Sequence, residues 1–297
     1  MNEASAPAIG SWRRSIDVEL SRVASAELRI PERLREAIDY SLTGEGKRLR
    51  GLLLLAAYDA VGGTGDASAL AAAVEIVHAY SLVHDDLPCM DNDSIRRGRP
   101  TTHRAFSVQL ATVAGVAMVP LAVRQTVEGA RRLGLDDGRV RRLVELLMRA
   151  SGASGMVGGQ LLDLHGEGEA LSLTELEHMH GAKTGALIAA ALTMGGIAGG
   201  ATEEGVSALE AAGEALGLAF QIADDVLDAT ESSERLGKTA GADAALAKST
   251  YASAIGVGAA RERSEALVRN AMHRLEAAGL RTPLLDDLAH FVSARRS

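Results

Sequence analysis

Four pairs of adjacent aspartates punctuate the chain, at 85–86, 136–137, 224–225 and 286–287, and two of them carry the marks of chemistry. Asp136-Asp137 precedes Gly138, as in a turn, and Asp286-Asp287 follows Pro283, where acids suit the first turn of a helix. The pair at 85–86 closes an apolar stretch from Val74 to Val83 and is followed by Pro88 and Asp91. A helix ending there would set three carboxylates against its own dipole, so the cluster calls for cations. The pair at 224–225 lies in Leu216-Gly-Leu-Ala-Phe-Gln-Ile-Ala-Asp-Asp-Val-Leu-Asp228, where Asp224 and Asp228 share one helical face. Unpaired carboxylates in such apolar company are costly, and divalent cations remove the cost. Magnesium fits, because it takes oxygen ligands, keeps waters and is completed by phosphate oxygens. Zinc does not fit a chain with one cysteine and no clustered histidines. The expected arrangement is two acidic clusters, Asp85, Asp86 and Asp91 against Asp224 and Asp228, facing each other with a diphosphate and Mg²⁺ between them.

The basic residues point the same way. Gly46-Lys47-Arg48-Leu49-Arg50 places Lys47 and Arg50 three apart, on one face if the segment is helical. Arg96 and Arg97 would diverge by about 100° in a helix, which suits two phosphate groups. Arginine gives bidentate contacts to phosphate, and lysine a mobile point charge; Lys183, Lys238 and Lys248 extend the set.

Helices must position these groups. Segments 67–83, 139–150, 202–228 and 264–278 are rich in Ala, Leu, Glu and Arg, with apolar residues recurring every three or four positions. No convincing alternating strand is present. Gly-rich or Asp-Gly turns follow Val61, Leu135, Ala198 and Ala278, and Ser172 or Thr174 is a plausible cap for a helix opening at Leu173. There is no repeat or composition break, so the expectation is one all-α domain over 11–297, behind a frayed stretch at 1–10.

The 297 residues are 47% hydrophobic and 24% charged, which excludes general disorder. A net charge of −8 argues against nucleic acid or an anionic membrane as partner, so an anionic substrate must be held by local cations or metal. The single cysteine, Cys89, rules out an internal disulfide and is consistent with a cytoplasmic protein. Two apolar runs, 110–123 and 186–201, fall short of the roughly 18–20 residues that cross a bilayer, so no membrane span is expected.

The segment Ser81-Leu-Val-His-Asp-Asp-Leu-Pro-Cys-Met-Asp-Asn-Asp-Ser-Ile-Arg-Arg-Gly-Arg-Pro-Thr-Thr-His resembles the first aspartate-rich motif of the short-chain trans-prenyl diphosphate synthases, the polyprenyl synthetases. Phe220-Gln-Ile-Ala-Asp-Asp-Val-Leu-Asp resembles the second, and Gly-Lys-Arg-Leu-Arg at 46–50, Lys-Thr-Gly-Ala-Leu at 183–187 and Leu-Gly-Lys-Thr-Ala-Gly at 236–241 match in order and spacing. The similarity covers residues 40–255, and the gap between Asp86 and Asp91 is similar to that of bacterial farnesyl diphosphate synthases. It implies a helical bundle around a deep central cavity, a homodimer, and condensation of isopentenyl diphosphate with dimethylallyl or geranyl diphosphate. Asp85, Asp86, Asp91, Asp224 and Asp228 would hold three Mg²⁺ ions around the allylic diphosphate, helped by Arg96, Lys183, Lys238 and Lys248. Gly46, Lys47, Arg50, His78 and Arg97 would hold isopentenyl diphosphate. The carbonyls near Lys183-Thr184 and the Gln221 amide oxygen would lend negative charge to the carbocation left when the allylic carbon–oxygen bond breaks. Tyr80, with Ser81, would form the cavity floor, and an aromatic at Tyr80 implies a C15, farnesyl product, with a C20, geranylgeranyl product as the alternative. Glu45, Gly51 and Ser94 depart from the family pattern without removing a metal ligand.

Three rival readings remain open on the sequence alone. A class I terpene cyclase would share a metal site and a helical fold but would not need Lys47 and Arg50. His84-Asp85 superficially resembles the metal pair of a phosphohydrolase. A non-catalytic prenyl-binding subunit would not need the full set of acids and bases.

Overall fold

The computed structural model describes residues 5–26, 30–230 and 248–293. The chain is helical almost throughout: α1 (Ala6–Ala26), α2 (Glu32–Leu42), α3 (Leu49–Ala60), α4 (Ser68–Asp85), a hairpin of β1 (Ile95–Arg96) and β2 (Arg99–Pro100), α5 (Thr102–Ala105), α6 (Val108–Arg132), α7 (Asp137–Ser151), α8 (Met156–His165), α9 (Leu173–His180), a π-helical turn (Gly181–Gly185), α10 (Ala186–Gly199) and α11 (Glu203–Thr230). After residues 231–247, which lie outside the described chain and include Lys238, come α12 (Tyr251–Ile255), α13 (Val257–Ala277) and α14 (Pro283–Ser293).

Local chemistry sets the boundaries. Ser107 and Asp136 cap α6 and α7 by accepting from backbone amides three residues on, and Ser172 and Glu175 form a reciprocal capping box at α9. Asp136-Asp137 is therefore a cap and first turn, and Asp286 lies in the first turn of α14. The N-terminal helix starts at Ala6, inside the stretch expected to fray, because Ile9, Ile16, Leu20 and Val23 form a buried stripe that anchors it.

The bundle is organised around α10, buried along nearly its whole length between α3 and α11, while α4 packs along α6 and α11 along α13. Glycines let backbones approach. A Cβ on Gly213 would lie 2.4 Å from the Ala189 Cα, one on Gly217 2.4 Å from the Gly185 Cα, and one on Gly159 2.1 Å from the Lys183 nitrogen. These three contacts draw α11 and α8 onto the π-helical turn and α10.

The helices containing the apolar runs are longer than the runs. Segments Val108–Arg132, Leu173–Gly199 and Glu203–Thr230, of 25, 27 and 28 residues, are long and apolar enough to cross a membrane by length and composition. This corrects the expectation drawn from uninterrupted runs, since helices continue through polar residues and, in α6, through Pro120. In the fold the three are bundle elements, and α11 carries Gln221, Asp224, Asp225 and Asp228.

Candidate active site

The acidic end of α4 and the basic π-helical turn meet. Asp85 ends α4, Asp86 caps it, and the Asp91 amide returns to donate to the Asp85 carbonyl at 2.9 Å, closing a tight acidic loop. Burial pushes the Asp85 carboxyl up to about 6; Lys183 is the chief opposing charge, while Asp91 and Asp86 add repulsion. Burial likewise raises Asp86 against the pull of Arg96, whose guanidinium lies 2.6 Å from its Oδ1. Arg96 also reaches Asp93 at 3.3 Å.

Arg96 and Arg97 lie on the β-hairpin, not on a helix. Arg97 has a left-handed φ of 52° at the turn and donates to the Glu45 carbonyl at 2.7 Å. The turn therefore supplies the divergence that a helix was expected to give. The Lys47–Arg50 segment also differs, because α3 starts only at Leu49 and Lys47 stands before it. Arg48, at φ 52°, is the buried pivot. It binds Asp17 at 2.8 Å and the Leu42 and Gly44 carbonyls at 3.1 and 2.8 Å, bringing Gly46 beside the Arg97 guanidinium. Beyond it the Lys47 ammonium stands 5.2 Å from the Phe291 ring of α14, and the Arg50 guanidinium 5.8 Å from the Phe220 ring of α11.

An open cleft lies between α2, the hairpin and α4, and His78, Asp86, Arg48, Arg96, Arg97 and Arg99 are among the residues lining it. Burial and the fields of Arg50, Arg97, Arg96 and Arg48 hold His78 well below its ordinary range, so it is neutral. A neutral imidazole within a ring of guanidiniums suits a diphosphate, adding a hydrogen bond where the charge is already supplied. Tyr80 and Ser81 do not line this cleft. The Tyr80 hydroxyl donates to the Ser151 carbonyl at 3.2 Å, and its ring meets His84 edge-on at 5.8 Å. Ser81 donates back to the His78 carbonyl at 2.9 Å.

Across the site, Lys183 on the π-helical turn binds Asp163 of α8 at 2.6 Å. Lys248 bridges Asp163 and Asp91, at 3.0 and 3.1 Å, and so ties the acidic loop of α4 to α8. The two ammonium groups overcome burial and hold the Asp163 carboxyl below its usual range, while Asp163 and Asp91 raise Lys248 against burial. The Thr184 hydroxyl donates to the Gln221 amide oxygen at 3.0 Å, which joins the turn to α11. Asp224 and Asp228 lie on α11, one turn apart.

Among the described residues no three acidic, histidine or cysteine side chains are gathered closely enough to hold a metal unaided. The donor chemistry still fits magnesium. The acidic set offers carboxylate oxygens only, Asp85 is destabilised when charged, and this ion completes its shell with waters and phosphate. Asp85, Asp86, Asp91, Asp224 and Asp228 would hold it. The phosphohydrolase reading loses support, because the His84 ring leans over Gly115 and its Nε2 lies 3.1 Å from the Thr112 carbonyl of α6.

Sequence reasoning passed over Asp163 and Gln160, and it named Asp93 and Asp225 within their motifs without giving either a role. Gln160 buries both ends of its amide without a hydrogen-bond partner among the described residues, three residues before Asp163. The readable signal was Gly158-Gly159-Gln160 with Asp163 in an apolar helix, the glycine marking close backbone approach and the amide and acid having no place in a mere core.

Comparisons with known proteins bear on the family and the fold. The family model described as "Polyprenyl synthetase" matches residues 31–280. A chloroplastic geranylgeranyl pyrophosphate synthase of Catharanthus roseus is 42% identical over 250 residues, 84% of this chain and 70% of the relative. An FPP/GFPP synthase from Zymomonas mobilis superposes with a TM-score of 0.83 at 34% identity, covering 97% of this chain and 99% of the other. A geranyltransferase from Helicobacter pylori, solved with magnesium and isoprenyl diphosphate, gives 0.79 at 30% identity and covers 96% of both chains.

Proposed function

Because the chain belongs to the polyprenyl synthetase family, we propose that it condenses isopentenyl diphosphate with an allylic diphosphate and that its main product is the C20 diphosphate. The observation that carries the reaction is the Asp85 carboxyl, buried in the field of Lys183 and Arg96 and costly to ionise without further cations. Three magnesium ions, when bound by the two acidic clusters, would neutralise the departing diphosphate. Arg96, Lys183 and Lys248 add fixed positive charge on the same side, with Lys238 assigned there by its motif. Gly46, Lys47, Arg50, His78 and Arg97 orient isopentenyl diphosphate from the hairpin side. The Gln221 oxygen and the carbonyls of the π-helical turn face the developing allylic cation, and the departed pyrophosphate takes the proton.

The product length revises the farnesyl expectation. Relatives such as the Catharanthus roseus enzyme carry the geranylgeranyl name. Position 81 lies about 40° around α4 from Asp85, and position 80 about 140°. A small serine thus shares the face of the metal-binding aspartate, and Tyr80 is turned toward α7. The C15 reading keeps the support of a bulky, buried Tyr80 beside His84 and of the FPP in the name of the Zymomonas mobilis enzyme. Chromatography of the dephosphorylated products against geranyl, farnesyl and geranylgeranyl standards separates the two. A dominant C20 alcohol, unchanged in Tyr80→Ala, supports the proposal. A C15 product that lengthens in Tyr80→Ala would make Tyr80 the floor.

A homodimer is part of the same proposal. Val108, Val113 and Val116 of α6 and Val157, Leu161 and Leu162 of α8 are exposed, apolar and available to a second copy. Sedimentation equilibrium at twice the chain mass is the expected result.

A further inference from the structure

Asp225 is the member of the second aspartate pair that the metal assignment leaves unused. It turns about 100° around α11 from Asp224, away from the face shared with Asp228. Its side chain is buried and both oxygens are occupied. Oδ1 accepts from the Gln221 amide nitrogen at 3.0 Å, and Oδ2 accepts from the Tyr251 backbone amide, the first of α12, at 2.9 Å. His180, stacked on Tyr251, brings its Nε2 to 3.5 Å of Oδ2.

We infer that Asp225 is a positioning residue that fixes which end of the Gln221 amide faces the reacting carbon. A carboxamide has a donor end and an acceptor end of nearly equal shape, so its orientation is set by its partners. A carboxylate only accepts, which obliges the Gln221 nitrogen to face Asp225 and the oxygen to face Thr184, whose hydroxyl donates to it. The chain from Tyr251 N–H through Asp225 and Gln221 to Thr184 thus ends with an oxygen at the wall of the site. The reverse orientation would place two N–H groups against a developing carbocation. Oriented dipoles of this kind act strongly where water is excluded.

The inference rests on the proposed condensation, so the test begins by showing that the wild-type chain elongates an allylic diphosphate. Asp225→Asn offers one acceptor where two donors must be satisfied; keeping Tyr251 then turns an amide nitrogen toward Gln221 and favours the flipped orientation. Its turnover is expected to fall about 10- to 100-fold with little change in KM for either substrate. The share of allylic substrate released as free alcohol, by water capture of the cation, should rise. The double variant Gln221→Glu with Asp225→Asn exchanges donor and acceptor while keeping the pair's charge, and should recover to within about threefold of wild type. A magnesium half-saturation that rises in step with the lost rate would make Asp225 a metal ligand and overturn the inference. A folded double variant no better than Asp225→Asn would also overturn it. Should the single variant not fold, a double variant that folds and turns over supports the exchange, and one that folds without turnover refutes it. No elongation by wild type would instead refute the proposed function itself.

Discussion

Asp85→Asn should separate stability from activity. Burial raises this carboxyl from 3.8 to about 6, even with Lys183 and Arg96 pulling the other way. At about 1.4 kcal/mol for each tenfold change in proton affinity, its ionised form costs the metal-free fold roughly 3 kcal/mol. Between about pH 4 and 6 the folded chain keeps a proton that the unfolded chain has lost. This group's contribution therefore declines as pH rises through that window and is least favourable above it. An asparagine is neutral throughout. In excess chelator at pH 8 the variant should melt about 5 °C higher than wild type, since each kcal/mol moves a chain of this size by roughly 2 °C. Near pH 4.5 the gap should shrink to about a third of that or less. Magnesium with pyrophosphate should raise the wild-type melting temperature far more than that of the variant, and condensation by the variant should fall more than about 100-fold. Calorimetric scans at the two pH values, alongside incorporation of labelled isopentenyl diphosphate, read all of these outcomes. A variant less stable than wild type at pH 8 in chelator, or a gap independent of pH, would refute the reasoning.

Other positions give independent checks. Asp163→Asn removes the carboxylate between Lys183 and Lys248 and should cost about 3 kcal/mol in urea unfolding at pH 7. Because Asp163 is held below its ordinary range, that difference should fade as pH falls below about 4. In Gly217→Ala the new methyl would meet the Gly185 backbone, forcing α11 off the π-helical turn; the expected loss is about 1–3 kcal/mol with a clear drop in condensation. Gly258→Ala, where a methyl meets nothing among the described residues within 4 Å, is the control and should leave stability and activity near wild type.

The sequence showed the helices best. Apolar periodicity located segments such as 139–150, which extends only to Asp137–Ser151 in the structure. The aspartates at 85–86 and 224–225 were visible because charged groups in apolar company are too costly to keep unless something binds them, whereas His78 and the lysines took their roles from the family resemblance. Spacing failed where the backbone leaves the helix. Lys47 and Arg50 were placed on one face, but Arg48 takes a left-handed turn between them, and Arg96 and Arg97 diverge through a hairpin. Asp163, and the role of Asp225 within its visible pair, escaped for a different reason. Their roles lie in what they touch: Lys183 and Lys248 lie 20 and 85 residues from Asp163, and Tyr251 lies 26 from Asp225, separations that leave no mark in local spacing, while Gln221 stands one helical turn before Asp225.

The central claim is that two acidic clusters and the cations beside them separate diphosphate from an allylic carbon so that a new carbon–carbon bond can form. Its most direct measurement is the yield of elongated diphosphate from labelled isopentenyl diphosphate and an allylic primer, with magnesium, with chelator, and with the Asp85→Ala and Asp224→Ala variants. The account requires elongated product from the wild-type chain with magnesium and almost none in the other three reactions. Undiminished elongation in chelator, or by both variants, would contradict it.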